Sequence, residues 1–378
     1  MKRSSIPREF RDIYKKTLNS EDQLDLSVDP LAKKAIKYIS EALKKNSHLE
    51  QLSLNNKLDN QDTKLLCESL KLNHNLKVLN LNFNEIKEEG IKDLRDSLLV
   101  NTTIEKLYLN SNQFSDGGMY YLCDALKNNF HIKELEIRAN NITSVGMKYL
   151  CESLNKNTKL KKIDISENKI DEKGMKEFKE TLRINKTLKK IDLSNNELIK
   201  DKGVKYLSKG LKFNYYLKEI NLACNDIGDE GAKFFSECLK LNNSLKEVYF
   251  YNNNLSIAVL DSVFDALKIN NSLTVFGIDF SNQQMKKIDF LLDCNKEWKH
   301  FEHRDYFKNF RHIIYIFVLS LKFVQKKFFF RIPKFLLYEI IKMVDRKCFF
   351  DDWCEENIQT NTKRKMRKRK FGNNVFAF

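Results

Sequence analysis

The stretch "LKKIDISENKI", Leu160–Ile170, is spelled again with small changes as "LKKIDLSNNEL" at Leu188–Leu198. Self-similarity at a fixed spacing marks a stacked-repeat architecture and takes precedence over any domain-by-domain reading. The spacing holds outward in both directions, with branched apolar residues opening units at Leu49, Leu76, Ile104, Ile132, Leu160, Leu188, Leu217, Leu245 and Leu273. Between Leu76 and Leu245 five steps are 28 residues long and one is 29, the extra residue falling in "NELIKDKG". Each unit reads L-x-x-L-x-L-x-x-N-x-I/L, and Asn84, Asn112, Asn140, Asn168, Asn196, Asn225 and Asn253 hold one slot.

The first half of a unit alternates apolar and polar, as in Ile163-Asp164-Ile165-Ser166, which is the period of a strand with one buried face. The second half changes period: Met147, Leu150, Cys151 and Leu154 fall on one stripe of a helix. Gly90, Gly118, Gly146, Gly174, Gly203 and Gly231 stand just ahead of the helices, where a tight turn is expected. The recurring carboxamide both donates and accepts, so a stack of asparagines can bond the loops of neighbouring units. Neither half can bury its apolar face alone, which is why the unit is repeated.

On these residues the chain resembles the leucine-rich repeat proteins of the ribonuclease-inhibitor-like class, over roughly Leu24 to Asp279. The resemblance implies an α/β solenoid, with a curved parallel sheet inside and helices outside. The end units depart from the pattern, as capping units do: Lys57 stands in the asparagine slot, Val259 replaces a glycine, and Ser281 closes the last strand. "DPLAKKAIKYISEALKKN", Asp29–Asn46, reads as the helix of an amino-terminal cap. The expected organisation is an N-terminal segment and capping helix over 1–46, repeats over 47–284, a helical cap or F-box-like segment over 285–346, and a basic tail over 347–378.

Charge marks the same boundary. The chain carries +16, and residues 285–378 hold 22 Lys and Arg against 11 Asp and Glu, so +11 of the total lies there. Met1–Leu26 lacks the apolar core of a secretory signal, and the longest apolar run, Ile313–Leu321, is far shorter than the roughly 20 residues that cross a bilayer. A soluble cytoplasmic or nuclear protein without membrane contact is therefore expected. Of the eight cysteines, Cys67, Cys123 and Cys151 share one helix position in different units, where a free thiol packs as a small hydrophobe.

Two motifs lie beyond the repeats. In "RIPKFLLYEIIKMV", Arg331–Val344, Pro333 suits a first helical turn, and Leu336, Leu337, Ile340 and Ile341 recur at helical spacing. This spelling is similar to the opening of F-box helices, which implies docking to an adaptor of a cullin-type ubiquitin ligase. Phe335 stands where many F-boxes carry glutamate, and an F-box usually precedes the repeats. The competing reading is a helical cap that seals the solenoid. The tail "KRKMRKRK" places seven cations, Lys363, Arg364, Lys365, Arg367, Lys368, Arg369 and Lys370, in eight residues. That is a nuclear-import or nucleic-acid patch, or else a solvated end.

Chemistry is sparse. There is no phosphate loop, no H-E-x-x-H and no glycine-rich strand-to-helix fingerprint. Cys294, His300, His303 and His312 lack the paired C-x-x-C of structural zinc sites. Neither catalysis nor a metal or cofactor is expected. The sheet face remains, because strand side chains alternate between core and outside. Its central outward row runs Ser53, Asn80, Tyr108, Glu136, Asp164, Asp192, Asn221, Tyr249 and Gly277, with Arg138, Ser166, Ser194 and Tyr251 on one side and Lys162 and Lys190 on the other. Aligned carboxylates repel unless a partner brings cations, and tyrosines are common interface anchors. The row is expected to bind a protein ligand with a basic patch, the alternative being solvated polar side chains. Three functions compete: an interaction scaffold acting as a ligase substrate receptor, a regulator resembling the repeat part of Ran GTPase-activating proteins, and an inhibitor of a basic nuclease resembling the ribonuclease inhibitors.

Overall fold

The structure, a computed structural model, describes residues 6–301 of the 378. Ten three-residue strands form one sheet in strict chain order, every neighbouring pair parallel. They are β1 Gln23–Asp25, β2 Gln51–Ser53, β3 Val78–Asn80, β4 Lys106–Tyr108, β5 Glu134–Glu136, β6 Lys162–Asp164, β7 Lys190–Asp192, β8 Glu219–Asn221, β9 Glu247–Tyr249 and β10 Val275–Gly277. The helices are α1 Arg11–Asn19, α2 Ile36–Leu43, α3 Asn60–Leu70, α4 Glu88–Leu98, α5 Ser115–Asn128, α6 Ser144–Leu154, α7 Glu172–Ile184, α8 Lys200–Leu211, α9 Asp229–Leu239, α10 Val259–Leu267 and α11 Asn282–Phe301. Adjacent strands lie about 4.8 Å apart, whereas packed helices need about 8–10 Å. Stacking one of each per unit therefore bends the solenoid with its sheet on the inside.

The middle residue of every strand and the apolar helix stripe meet in one continuous core; Leu79, Leu107, Leu135, Leu94, Leu122 and Leu150 are all fully buried. Cys67, Cys123, Cys151 and Cys238 sit in that core as free thiols, and burial pushes each of them up to about 12.

Two asparagine ladders tie the units together, one at each end of the strands. At the strand exit Asn140, fully buried, accepts from the Asn112 N–H (3.1 Å) and donates to the carbonyls of Leu109 (2.9 Å) and Arg138 (3.0 Å). At the helix end Asn129 donates to the carbonyls of Leu98 (2.8 Å) and Asn101 (3.2 Å) and accepts from the N–H groups of His131 (2.9 Å) and Ile132 (3.1 Å). These ladders satisfy loop backbone that burial would otherwise orphan. The second ladder runs on into α11, where Asn295 donates to the carbonyls of Asn270 (3.2 Å) and Leu273 (2.6 Å).

Two local expectations are corrected. Asn56, not position 57, fills the first ladder slot, donating to the carbonyls of Leu26, Ser27 and Asp29 while its own N–H reaches Asn84. The short 27-residue step from Leu49 to Leu76 hides that register. The repeat glycines do not make the turns, since no glycine among the described residues has a positive φ. They sit in the first helical turn, where a Cβ would meet the side chain four residues back and, at all of them but Gly118, the preceding unit as well: one added to Gly231 would meet Ile227 Cγ2 at 2.7 Å and the preceding unit's Asp201 Oδ1 at 2.5 Å. The residue before each ladder asparagine from Asn84 to Asn253 is instead left-handed, at Phe83, Ser111, Ala139, Glu167, Asn195, Cys224 and Asn252. Its N–H is spent on the next unit, for example Ala139 to the Ser166 carbonyl at 3.1 Å. The sheet begins with β1, at Leu24 where the resemblance begins: β1 pairs with β2, and α1 precedes it, with Asn46 holding the carbonyls of Thr17 (2.9 Å) and Ser20 (2.8 Å).

Candidate functional site

The third residue of each strand points away from the helices, and strand pairing sets these residues side by side: Tyr108 beside Glu136, Glu136 beside Asp164, Asp164 beside Asp192, Asp192 beside Asn221, Asn221 beside Tyr249. All six are half-buried, so the row expected from the sequence is one continuous strip. Tyr251 lies beyond it, stacked on Tyr249 with ring centroids 6.1 Å apart. Gly277 leaves room for both rings, since a Cβ there would meet Tyr251 at 2.6 Å and Tyr249 at 2.8 Å.

The strip is less bare than the sequence suggests. Asp164 accepts from the N–H and hydroxyl of Ser166 (3.0 and 2.6 Å), and Asp192 does the same with Ser194 (2.9 and 2.6 Å). Both serines, expected on the open face, are instead buried beneath the carboxylates they cap. Lys162 bridges Glu134 (2.6 Å) and Glu136 (2.9 Å), Asn110 donates to Glu136 (3.0 Å), and Asn221 donates to Asp192 (2.8 Å). Arg138 is paired with Glu167, and Lys190 with Glu219 at 2.5 Å. The residues missed in the sequence are the first strand positions, Glu134, Glu219 and Glu247, which share the open face because they lie two residues from the row.

Charge is still unbalanced at the centre. Burial, then the neighbouring Asp192 and Glu136, raise the Asp164 carboxyl above the usual range despite its serine cap. Burial also raises Tyr108, with Glu134 and Glu136 adding to it, and raises Tyr249, whose hydroxyl donates to Glu247 at 2.7 Å. Burial opposes the Lys162 charge, but the bonds to Glu134 and Glu136 outweigh it and hold the ammonium above the ordinary lysine range.

Among the described residues no group of three or more His, Cys, Asp or Glu could hold a metal ion, and no helix is long and apolar enough to cross a membrane. Pro333, Leu336, Leu337, Ile340 and Ile341, the cations from Lys363 to Lys370, and His303 and His312 lie outside the described residues.

A family model described as leucine rich repeat matches six stretches, residues 72–94, 100–123, 128–151, 156–179, 185–208 and 213–236. Among solved structures, the tropomodulin C-terminal domain from Caenorhabditis elegans is similar at 21% identity, covering 41% of this chain and 96% of that one with a TM-score of 0.38. The leiomodin-1 actin-binding site 2 is similar at 18% identity, covering 48% of this chain and 90% of that one with a TM-score of 0.31. No curated protein matches the chain. The ten parallel strands in chain order among the described residues, each followed by a helix, together with the six matched units, give the chain the fold of an α/β leucine-rich repeat solenoid.

Proposed function

We propose that the solenoid is a protein-interaction scaffold whose sheet face takes a protein partner bearing a basic patch. The observation that carries this reading is the half-buried row from Tyr108 to Tyr249, acidic in the middle and aromatic at its ends. A cation arriving beside Asp164 relieves a carboxyl that its surroundings disfavour, and Tyr249 and Tyr251 offer a broad stacked anchor of the kind that dominates interfaces. Affinity capture tests the reading. Proteins retained by the intact chain are expected to be lost with Tyr249→Ala/Tyr251→Ala, at a cost of about 2 kcal/mol or more in affinity. Undiminished capture by that variant sinks the assignment of the face.

The finer reading, a substrate receptor of a cullin-type ligase, is supported by the F-box-like spelling at Arg331–Val344. It calls for an adaptor that co-purifies with the intact chain and is absent with Leu337→Asp/Ile341→Asp. A small GTPase or a basic nuclease among the captured proteins would instead favour the regulator or inhibitor readings. The run Lys363–Lys370 supports nuclear import or nucleic-acid contact by the tail alone, and with it a cytoplasmic or nuclear location.

A further inference from the structure

Every helix that follows a strand runs the same way, so one edge of the solenoid gathers helix ends and the turns that lead back to the sheet. Along this edge residues 155–162 and 183–190 contain eight Lys and Arg and no Asp or Glu. Some of these cations are engaged: Lys162 and Lys190 with sheet-face glutamates, Arg183 with Glu180 at 3.2 Å, and Lys189 over the Tyr216 ring at 5.1 Å. Lys156, Lys159, Lys161, Lys186 and, in the next unit, Lys212 have neither ion pair nor side-chain hydrogen bond among the described residues. Amid them stand three apolar side chains: Ile184 is 55% exposed, Phe213 56% and Tyr215 63%; Leu72, Val100 and Leu241 are as exposed in the same register of other units, so the unpaired cations around this trio are what set the stretch apart.

Helix-end compensation does not explain this concentration. The partial negative charge of a helix C-terminus is similar for every unit. Yet residues 99–106 carry one acid and one base, and Lys240, at the end of α9, is paired with Glu237 at 2.6 Å. Paired nucleic acid does not account for it, because its phosphate backbone leaves Ile184, Phe213 and Tyr215 without an apolar counterpart, and a single strand, whose bases can stack on Phe213 and Tyr215, is the occupant that competition by poly(U) RNA tests against. An extended bilayer would meet the whole edge, whereas the excess of unpaired cations is confined to three consecutive units, about 20 Å of helix side.

We infer that this edge is a second interaction surface, distinct from the sheet face, and that its occupant is an acidic segment of a partner protein carrying aromatic or aliphatic side chains between its carboxylates. Lysines accept the carboxylates, and the exposed apolar trio, with the Arg183 guanidinium 5.3 Å from the Phe213 ring, accepts the hydrophobic residues. A span of about 20 Å is covered by about six extended residues.

The test uses the full chain and fluorescent synthetic peptides. One alternates Asp and Glu with Phe and Leu; a second has the same charge but serine at the apolar positions. Phosphatidylserine vesicles and poly(U) RNA serve as competitors. The acidic-apolar peptide is expected to bind with an affinity that falls as salt rises. Lys159→Glu/Lys186→Glu should weaken it at least about tenfold, and Phe213→Ser should weaken it without changing the salt slope. All these side chains are exposed, so unchanged melting of each variant confirms that the fold is intact. Four results overturn the inference: no peptide binding, equal binding of the serine peptide, undiminished binding to the Lys159→Glu/Lys186→Glu variant, as capture by the basic tail would give, or displacement of the peptide by vesicles or RNA that bind this edge more tightly.

Discussion

Asn242→Ala is expected to lower the unfolding free energy by about 3 to 5 kcal/mol. The side chain is fully buried, and its Oδ1 accepts from the backbone N–H groups of Ser244 (3.0 Å) and Leu245 (2.9 Å). Truncation leaves both donors buried without a partner, and each orphan costs about 1–3 kcal/mol. The carbonyls of Leu211 (2.7 Å) and Asn214 (3.0 Å) lose a donor as well. Asn242→Asp separates these contributions. It keeps the acceptor but turns a second oxygen toward those carbonyls, so its folded-state pKa must rise. Its deficit should be greatest at neutral pH and shrink as pH falls through the raised value, when the carboxylic acid regains a donor. Urea unfolding at two pH values measures both variants, and a loss below about 1 kcal/mol for Asn242→Ala would mean that water replaces the side chain.

The second large effect pulls stability and binding in opposite directions. Asp164→Asn/Asp192→Asn should leave the fold as stable or more stable at neutral pH, while weakening a basic partner by about 2 kcal/mol or more. The serine N–H that each aspartate accepts has an equivalent where asparagine already occupies the row: Asn82 N–H to Asn80 (3.0 Å) and Ala223 N–H to Asn221 (3.0 Å). Asparagine is therefore accommodated by the same backbone. The sign follows from Asp164, whose folded pKa lies above that of an ordinary aspartate, chiefly because it is buried. Such a group favours folding below its unfolded pKa and opposes it once pH has risen through the folded one. The gain from substitution should thus emerge above the carboxylate range and vanish under acid. Equal stability loss and binding loss would instead mark the pair as structural.

The solenoid was legible in the sequence because its determinants are local and repeated: a period of 28, an alternating half and a helical half. The sheet row followed from register alone, and Tyr108, Glu136, Asp164, Asp192, Asn221 and Tyr249 lie side by side. Contacts between units were not legible in the same way. That Gly231 faces the preceding unit's Asp201 and that Lys162 spans two glutamates of the preceding unit both depend on distances across the stack that spelling within one unit does not encode. The basic edge was hidden for a related reason: its lysines are unremarkable in any one unit and become a surface only when units are laid side by side.

The asparagine ladders also limit how a gene for such a chain can change length. Each rung joins one unit to the next through bonds that repeat at 28 residues, as from Asn112 to Asn140 and from Asn140 to Asn168. A duplication or deletion of one whole period re-forms each rung with an equivalent partner, whereas a shorter insertion has to be absorbed in the loops between rungs, as the one extra residue between Asn196 and Asn225 is. The lineage of this protein can therefore lengthen or shorten in whole steps, and each step changes how far the acidic row lies from the ends of the stack.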